Sequence, residues 1–192
     1  MCITPKKFKT RLWILKYHTI VIDPPWEFDK TNGFQRMKHT GVAKVEHYKT
    51  MTNEELKQFQ INEFAYNDCD LFLWVVTRKI EFSFELLKSW GFRFVDFITW
   101  DKVLGVPVNG FHRKAEWCMY AVKGKKGISK KGKFIPTVIT EKRGKHSEKP
   151  KLFYDIIKTN TLEPRIDIFA RKRHEGFDAW GDQVTERRNG NE

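Results

Sequence analysis

Short apolar runs alternate with helical stretches along the chain. Residues 18–23 predict a buried strand that two prolines end, and the continuous apolar run at 70–77 predicts a strand that is covered on both faces of a sheet. Residues 79–90 carry apolar side chains at helical spacing and are followed by Gly91, which predicts a helix that ends there. Further strands are predicted at 92–100, 117–122, 134–140 and 165–169. This alternation is typical of an α/β protein with a mostly parallel central sheet.

Two more helices are predicted from residues that suit their N-termini. Thr52 is the predicted cap of a helix at 53–59, and Ser147 that of a helix at 148–158. In open α/β sheets, ligands bind just beyond the carboxyl ends of strands. The strand exits after Asp23 and Ala170 are therefore where chemistry is expected.

The composition of the 192 residues fits one folded domain that spans 1–192. Hydrophobic residues make up 40% and aromatic residues 15%, so wholesale disorder is excluded. The 36 Lys and Arg outnumber the 24 Asp and Glu, which gives a net charge of +12. A charge this large indicates a polyanionic partner, nucleic acid first and an anionic membrane surface second.

Three stretches are predicted to be mobile, basic, nucleic-acid-binding loops, at 27–47, 103–115 and 123–149. The last is the most basic, since residues 123–151 hold eleven Lys or Arg against two Glu. Basic loops of this kind can hold phosphates, and a plain solvated surface is the alternative interpretation. The polar tail at 187–192 is predicted to fray.

Cysteine usage and the lengths of the apolar runs predict a reduced, intracellular protein. Cys2, Cys69 and Cys118 lie far apart without a C-x-x-C pair, so no metal site is expected. A zinc site built from Cys69, Cys118 and His112 is the disfavoured alternative. The longest apolar run, at 71–76, is far short of the roughly 18–20 residues of a spanning helix, so no membrane segment is expected.

The tetrapeptide Asp23-Pro24-Pro25-Trp26 follows the first predicted strand and is the most informative feature of the chain. The lone pair of adenine's exocyclic amino group is delocalised into the ring, so an enzyme that methylates this nitrogen must hold both N–H bonds. Asp23 can accept one N–H and the carbonyl of Pro24 the other, because two prolines hold that carbonyl in place. Trp26 offers a flat face for an extruded base. The alternative is a rigid turn with a buried Trp.

With this motif the chain resembles the MT-A70 family of S-adenosylmethionine-dependent adenine-N6 methyltransferases, over about residues 18–184. Besides the tetrapeptide, the resemblance rests on segments that occur in the family's order at 48–52, 71–75, 90–92, 100–102, 116–118, 146–150, 165–171 and 180–183. It implies a Rossmann-like methyltransferase fold with a permuted chain order. The catalytic strand then precedes the cofactor strand, which is expected at 165–170.

The resemblance implies S-adenosyl-L-methionine as the cofactor, and no G-x-G-x-x-G supports a nicotinamide or flavin site. Arg171 would pair with the carboxylate of the methyl donor and Lys102 with its methionine end. Asp182 stands where the family more often has Asn, and it cannot donate to a ribose hydroxyl. The implied cofactor-binding residues are Ile22, Asp23, Lys102, Asp167, Phe169, Arg171, Asp182 and Gln183. For Lys102, Arg171 and Gln183 a plain surface role is the alternative, and for Asp167 it is an ion pair with Arg171.

The expected substrate is adenine in DNA, because the chain lacks the added regions of relatives that act on messenger RNA. RNA is the alternative substrate, and a catalytically silent nucleic-acid-binding subunit is the alternative function. A homodimer and a partner subunit both remain open. The predicted substrate-binding residues are Lys30, Arg36, Lys38, Tyr48, His112, Arg113, Lys114, Lys130, Lys131, Arg143 and Lys145.

Overall fold

The computed structural model describes residues 15–27, 50–108, 110–125, 134–144, 148–181 and 184. Their strands are β1 (Tyr17–Ile22), β2 (Ala65–Val75), β3 (Arg93–Val108), β4 (Phe111–Lys123), β5 (Val138–Thr140), β6 (Arg165–Ile168) and β7 (Asp178–Trp180). Their α-helices are α1 (Asn53–Lys57), α2 (Ile61–Phe64), α3 (Ile80–Ser89) and α4 (Lys151–Asn160). A 3-10 turn at Thr77–Lys79 leads into α3.

The strands form one seven-stranded sheet in the order β5-β3-β4-β2-β1-β6-β7. β1 runs parallel to its neighbours β2 and β6, and the β6–β7 and β3–β5 pairs are parallel as well. Only β4 runs antiparallel to its neighbours in the described sheet, β2 and β3. The mixed, mostly parallel sheet confirms the predicted Rossmann-like α/β fold.

Helices cover both faces of the sheet, which explains the apolar runs at 20–22 in β1 and 71–75 in β2. Helices α1, α2 and α3 pack on one face, against alternate strand residues such as Ile20 and Leu71. Helix α4 packs on the other face, where Phe153 contacts Phe72 and Trp74. Burial of large apolar side chains on both faces is the main force that holds such a three-layer domain together.

The two predicted helix caps have opposite outcomes. At α1 the Thr52 hydroxyl accepts from the Glu55 N–H, and the Glu55 carboxylate accepts from the Thr52 N–H, so this cap is confirmed. The Ser147 cap is wrong, because α4 begins at Lys151 after Pro150. The carboxylate of Glu141 accepts from the first two N–H groups of α4, over distances of 3.0 and 2.8 Å.

The predicted loop at 103–115 is also wrong in its described part. β3 and β4 pair as far as Val108 and Phe111, so most of this stretch is a two-stranded hairpin. The pairing shifts register between Asp101 and Val106. Such a β-bulge interrupts the alternation of the strand, and Gly105 and Pro107 resemble loop punctuation, which is why the sequence pattern hid the strands.

The described residues bear on two further expectations, those for a membrane-spanning segment and for a zinc site. No helix among them is long and apolar enough to cross a membrane. Cys69 belongs to the core on the α1–α3 face and Cys118 to the core on the α4 face, so the two thiols cannot share a zinc ion.

Candidate active site

β1 and β6 are parallel neighbours in the sheet, so their carboxyl ends lie side by side. This is the point at which the strand order reverses. From β1 the chain continues to β2 on one side, and from β6 it continues to β7 on the other. A crevice opens at such a switch point and is the usual ligand site of open α/β sheets. Asp23 follows β1, and its N–H faces the carbonyl of Ile168 at the end of β6, with the nitrogen and oxygen 3.4 Å apart.

The segment after β1 is a rigid turn. The N–H of Trp26 donates to the carbonyl of Pro24, and the N–H of Met51 donates to the carbonyl of Pro25, each over 2.8 Å. Trp26 and Met51 also form a parallel β-bridge. The Pro24 carbonyl retains a second lone pair, because a carbonyl oxygen can accept two hydrogen bonds.

Trp26 lies in the core, and the stacking role predicted for it is corrected. Its side chain is 4% exposed, and its indole N–H donates to the carbonyl of Trp74 over 3.3 Å. The ring of Phe82 meets the indole edge-on. Because no face of the indole is free for a base, Trp26 anchors the turn, as the rigid-turn interpretation of the tetrapeptide expected.

A lysine bridges two carboxylates that come from different strands. The ammonium of Lys149 is 3.3 Å from the carboxylate of Asp23 and 3.0 Å from that of Glu116. Glu116 belongs to β4, and β2 lies between β4 and β1. Lys149 crosses this gap over the ring of Trp74 in β2, 4.8 Å from the ring centroid, which adds a cation–π attraction.

Lys102 extends this arrangement from β3. Its ammonium is 3.3 Å from the carboxylate of Glu116, and 14% of its side chain is exposed. We call Asp23, Lys149, Glu116 and Lys102 the charged cluster; its members alternate in sign. Lys102 thus lies in the same cluster as Asp23, and its partner in this structure is a carboxylate of the chain itself.

Burial and neighbouring charges set the pKa values within the charged cluster. Burial raises the pKa of Asp23 above its ordinary value, against the opposing effect of Lys149. Burial acts in the same direction on Glu116, but Lys149 and Lys102 outweigh it and hold the pKa of Glu116 below its usual range. Burial disfavours the ammonium of Lys149, but Asp23 and Glu116 outweigh it and raise the pKa of Lys149. Lys149 and Glu116 are therefore charged at neutral pH.

A second buried carboxylate lies beside β1. Asp167 in β6 is 3% exposed, pairs in register with Val21, and accepts from the hydroxyl of Tyr154 over 2.9 Å. The ring of His174 stacks on that of Tyr154, with 3.3 Å between centroids. Burial raises the pKa of Asp167 to about 8, although the hydrogen bond from Tyr154 opposes the rise.

The raised pKa of Asp167 predicts a pH-dependent stability. The folded chain keeps a proton that the unfolded chain releases above about pH 4, so the free energy of unfolding falls as the pH rises toward 8. Asp167→Asn removes this dependence, and at pH 8.5 we expect the variant to be more stable than the wild type by a few kcal/mol. Urea unfolding at pH 5 and pH 8.5 measures the effect.

Comparing Asp167→Asn with the wild type also removes the contribution of His174 to the pH dependence of stability. Burial lowers the pKa of His174 to about 4, which makes stability rise with pH below the ordinary histidine range, the opposite trend. That contribution is common to both proteins and cancels in their difference. A difference between them that stays constant from pH 5 to pH 8.5 would contradict the assignment.

The remaining cofactor residues implied by the resemblance occupy different places. Arg171 follows β6 and is close enough to Asp23 to lower the pKa of its carboxyl group, against the effect of burial. Phe169 has a φ of 62° and packs between the rings of Phe59 and Trp180. Ile22 is fully buried in the core on the α1–α3 face, so its side chain packs there and cannot contact a cofactor.

Four of the predicted substrate-binding residues are described, and all are exposed. His112, Arg113 and Lys114 lie in β4, and Arg143 follows β5. The predictions for the tail at 187–192 and for most of 27–47 lie outside the described residues. The same holds for Lys30, Arg36, Lys38, Tyr48, Lys130, Lys131, Lys145, Asp182 and Gln183.

The sequence interpretation assigned no site role to Lys149 or Glu116. Both lie in segments that support the family resemblance, at 146–150 and 116–118, so a signal was present. By composition alone, Lys149 is one of many charges in the basic stretch at 123–149. A lysine whose side chain is 14% exposed could not be told from its solvated neighbours by composition.

A groove of about 500 Å³ lies elsewhere, beside α1 and α3. Glu27, Asn53, Glu54, Lys57, Arg78, Lys79, Glu81, Phe82 and Glu85 line it. Its lining residues include no member of the charged cluster. The switch point, where a fixed carboxylate and a largely buried ammonium lie together, is therefore the candidate active site.

The fold is that of a Rossmann-like methyltransferase, and comparison with known proteins agrees. The MT-A70 family model matches residues 17–183. The chain is 31% identical to the type II methyltransferase M.MunI from Mycoplasma sp, over 88% of this chain and 78% of that protein. The chain belongs to the MT-A70 family of adenine-N6 methyltransferases.

Two longer proteins are also similar. The N(6)-adenosine-methyltransferase catalytic subunit METTL3 of Homo sapiens is 28% identical over 81% of this chain and 26% of its own length. The N(6)-adenine-specific methyltransferase METTL4 of Mus musculus is 28% identical over 88% of this chain and 37% of its own length. The chain thus spans about a quarter of METTL3 and little more than a third of METTL4.

MT-A70 methyltransferases use S-adenosyl-L-methionine as methyl donor. This molecule carries a carboxylate, an ammonium and a sulfonium. The side chains at the switch point match those charges, since Arg171, Lys102 and Lys149 can pair with a carboxylate, and Asp23 and Glu116 attract cations. The residues that are present therefore fit the cofactor.

Proposed function

We propose that this chain transfers a methyl group from S-adenosyl-L-methionine to the N6 amino group of adenine in DNA. The observation that carries the proposal is the carboxylate of Asp23, at the switch point and 3.3 Å from the ammonium of Lys149. A carboxylate fixed in this way can receive an amino group in one orientation. Membership of the MT-A70 family supports adenine N6 as the acceptor.

In this proposal Asp23 and Pro24 hold the amino group. The carboxylate of Asp23 accepts one N–H and the free lone pair of the Pro24 carbonyl accepts the other, so the nitrogen turns its own lone pair toward the methyl group. Bound S-adenosyl-L-methionine supplies the electrophilic methyl carbon. The bond from nitrogen to the methyl carbon would form as the bond between that carbon and the sulfonium sulfur breaks, so the donor would leave as a neutral thioether. The nitrogen takes up the positive charge and then releases a proton.

The environment of Asp23 suits the release of that proton. Because burial raises the pKa of Asp23 above its ordinary value, its carboxylate is a better proton acceptor than an exposed one. Lys149 acts as a positioning residue, since its contacts with Asp23 and Glu116 hold the carboxylate in one place. Arg171 and Lys102 hold the carboxylate end of the cofactor.

The choice of DNA over RNA rests on similarity. M.MunI, with 31% identity over 78% of its own length, favours DNA. METTL3, which is named for adenosine, favours RNA, but this chain spans only 26% of it. The net charge of +12 supports either polyanion.

The test offers both substrates to the wild-type protein. Unmethylated duplex DNA and RNA of matched sequence are incubated in parallel with methyl-labelled S-adenosyl-L-methionine, and the nucleosides are separated by mass spectrometry. We expect N6-methyl-2′-deoxyadenosine from DNA and little methylated adenosine from RNA. Label in RNA alone contradicts the choice of DNA, and binding without any transfer supports a silent subunit.

A further inference from the structure

β3 and β4 continue beyond the helix-covered part of the sheet as a two-stranded arm. We call residues 104–108 and 110–114 the ribbon tip. In β4, residues 118–122 are buried and residues 111–114 are exposed, so the strand leaves the core at about Glu116. At about 3.4 Å per residue, Phe111 lies about 17 Å along the strand from Glu116. The arm is therefore long enough to cross a major groove about 12 Å wide.

One face of the arm is basic and leads into the charged cluster. His112, Lys114 and Glu116 alternate along β4 and so share a face. A Cβ atom on Gly105 would lie 2.7 Å from the Lys114 side chain and 3.0 Å from the His112 ring, so both side chains lie across this glycine. Residues 102–115 contain no Asp or Glu. Lys114 is 3.9 Å from the carboxylate of Asp101, and the face ends at Glu116 of the charged cluster.

The ribbon tip also exposes large apolar side chains. Phe111 is 72% exposed, Leu104 66% and Val106 36%. By the same alternation Phe111 shares its face with Arg113 and with Val106, which is paired with Arg113, whereas His112 and Lys114 lie on the other face. An apolar tip with a basic residue on each face fits a nucleic acid, in which phosphates pair with the charges and base pairs receive the apolar group. A second copy of this chain fits less well, because a symmetric contact between two tips would bring their positive charges together.

A β-bulge fixes the direction of the arm. Val103 has a φ of 66°, a conformation that is rare for a β-branched residue, and its N–H donates to the Asp101 carboxylate over 2.9 Å. The register shifts at the same point, between Asp101 and Val106. Bulges of this kind bend a strand and re-aim its side chains, and here the bulge lies beside Lys102 of the charged cluster.

We propose that the ribbon tip enters the major groove of duplex DNA end-on, so that Arg113 on one face and Lys114 on the other contact phosphates of the two groove walls and Phe111 at the tip packs against base pairs. This proposal rests on the proposed function, because it names the form of DNA that the same site receives. A two-stranded β-ribbon has the dimensions of that groove. The arm would hold the duplex while the target adenine reaches Asp23.

The first test separates the apolar contact from the charges. Phe111→Ala is compared with Leu162→Ala, which removes a side chain that is 44% exposed and lies before β6, at the other end of the parallel strands. We expect Phe111→Ala to weaken binding to a duplex about tenfold, and Leu162→Ala to leave it unchanged. Binding of Phe111→Ala to a single strand of the same sequence should change less than twofold. Fluorescence anisotropy measures both, and thermal unfolding checks that both variants fold.

The second test uses the salt dependence of binding. Removing an apolar contact leaves the slope of log K against log[salt] unchanged, whereas removing a phosphate contact lowers it by about one unit per charge. We therefore expect the wild-type slope for Phe111→Ala and a slope smaller by about two for the Arg113→Ala, Lys114→Ala double variant. Equal slopes for the double variant and the wild type would overturn the phosphate contacts.

Other outcomes overturn the proposal or separate it from the proposed function. Unchanged duplex binding by a folded Phe111→Ala overturns it, as does an equal loss for duplex and single strand. Loss of a dimer in sedimentation, with duplex binding intact, assigns the tip to contact between copies. If the wild type methylates no DNA yet Phe111→Ala loses duplex binding, the ribbon proposal stands and the proposed function fails.

Discussion

Asp23→Ala is expected to lower kcat for methyl transfer by about a thousandfold and to change nucleic-acid affinity less than twofold. Removing one preorganised partner of a transition state typically costs a factor of 10² to 10³. Here the same carboxylate orients the amino group, stabilises the positive charge on nitrogen and receives the proton. Phosphate contacts, which dominate affinity, involve other residues.

Two further variants test whether the charge of Asp23, rather than the loss of any aspartate, causes the effect. Asp23→Asn keeps the shape of the side chain and loses its charge, so we expect a loss close to that of alanine if the charge is what matters. Asp96→Ala removes an exposed aspartate from the start of β3 and should keep full activity. Single-turnover kinetics on duplex DNA compare the three, and more than a tenth of wild-type kcat in Asp23→Ala would refute the role.

Lys149→Met is the second large effect we expect, with kcat reduced about a hundredfold and the free energy of unfolding reduced by about 3 kcal/mol. Breaking a buried ion pair by removing one partner costs about 3–5 kcal/mol, and partial exposure of the two carboxylates, 26% for Asp23 and 36% for Glu116, places this variant at the lower end. Here two carboxylates, Asp23 and Glu116, lose the ammonium between them.

The same variant should also change the pH profile. Lys149 lowers the pKa of Asp23 against the effect of burial, so its loss raises that pKa further. Because the proposed mechanism needs the carboxylate form of Asp23, the acidic limb of kcat should move to higher pH. A purely structural role for Lys149 would lower the amount of folded protein without moving this limb.

Matched variants control for the loss of a lysine as such. Lys151→Met removes a lysine two residues along the chain that is 76% exposed and paired with Asp155, and we expect less than 0.5 kcal/mol and no effect on kcat. Lys149→Met leaves two carboxylates without their cation. Adding Glu116→Gln removes one of them and should restore part of the free energy of unfolding. No recovery in the double variant would contradict the bridging role of Lys149.

Local rules predicted the elements whose signals are local. The cap of α1 needs only Thr52 and Glu55, three residues apart; Thr52 caps the helix as predicted, and Glu55 completes a capping box. The cap of α4 comes from Glu141, which is ten residues before Lys151 and follows β5, so a search for a nearby Ser chose the wrong residue. The arm of β3 and β4 was missed because a bulge breaks the alternation that identifies strands.

The sequence by itself determined that this is a basic α/β domain with Asp23 at a strand exit, because apolar runs and two prolines act through neighbouring residues. Only the tertiary structure decided what surrounds that carboxylate. The order β4-β2-β1 places Glu116 and Asp23 two strands apart, a gap that one lysine side chain can bridge over Trp74. Lys149 is 126 positions after Asp23, and no local pattern encodes a contact across that separation.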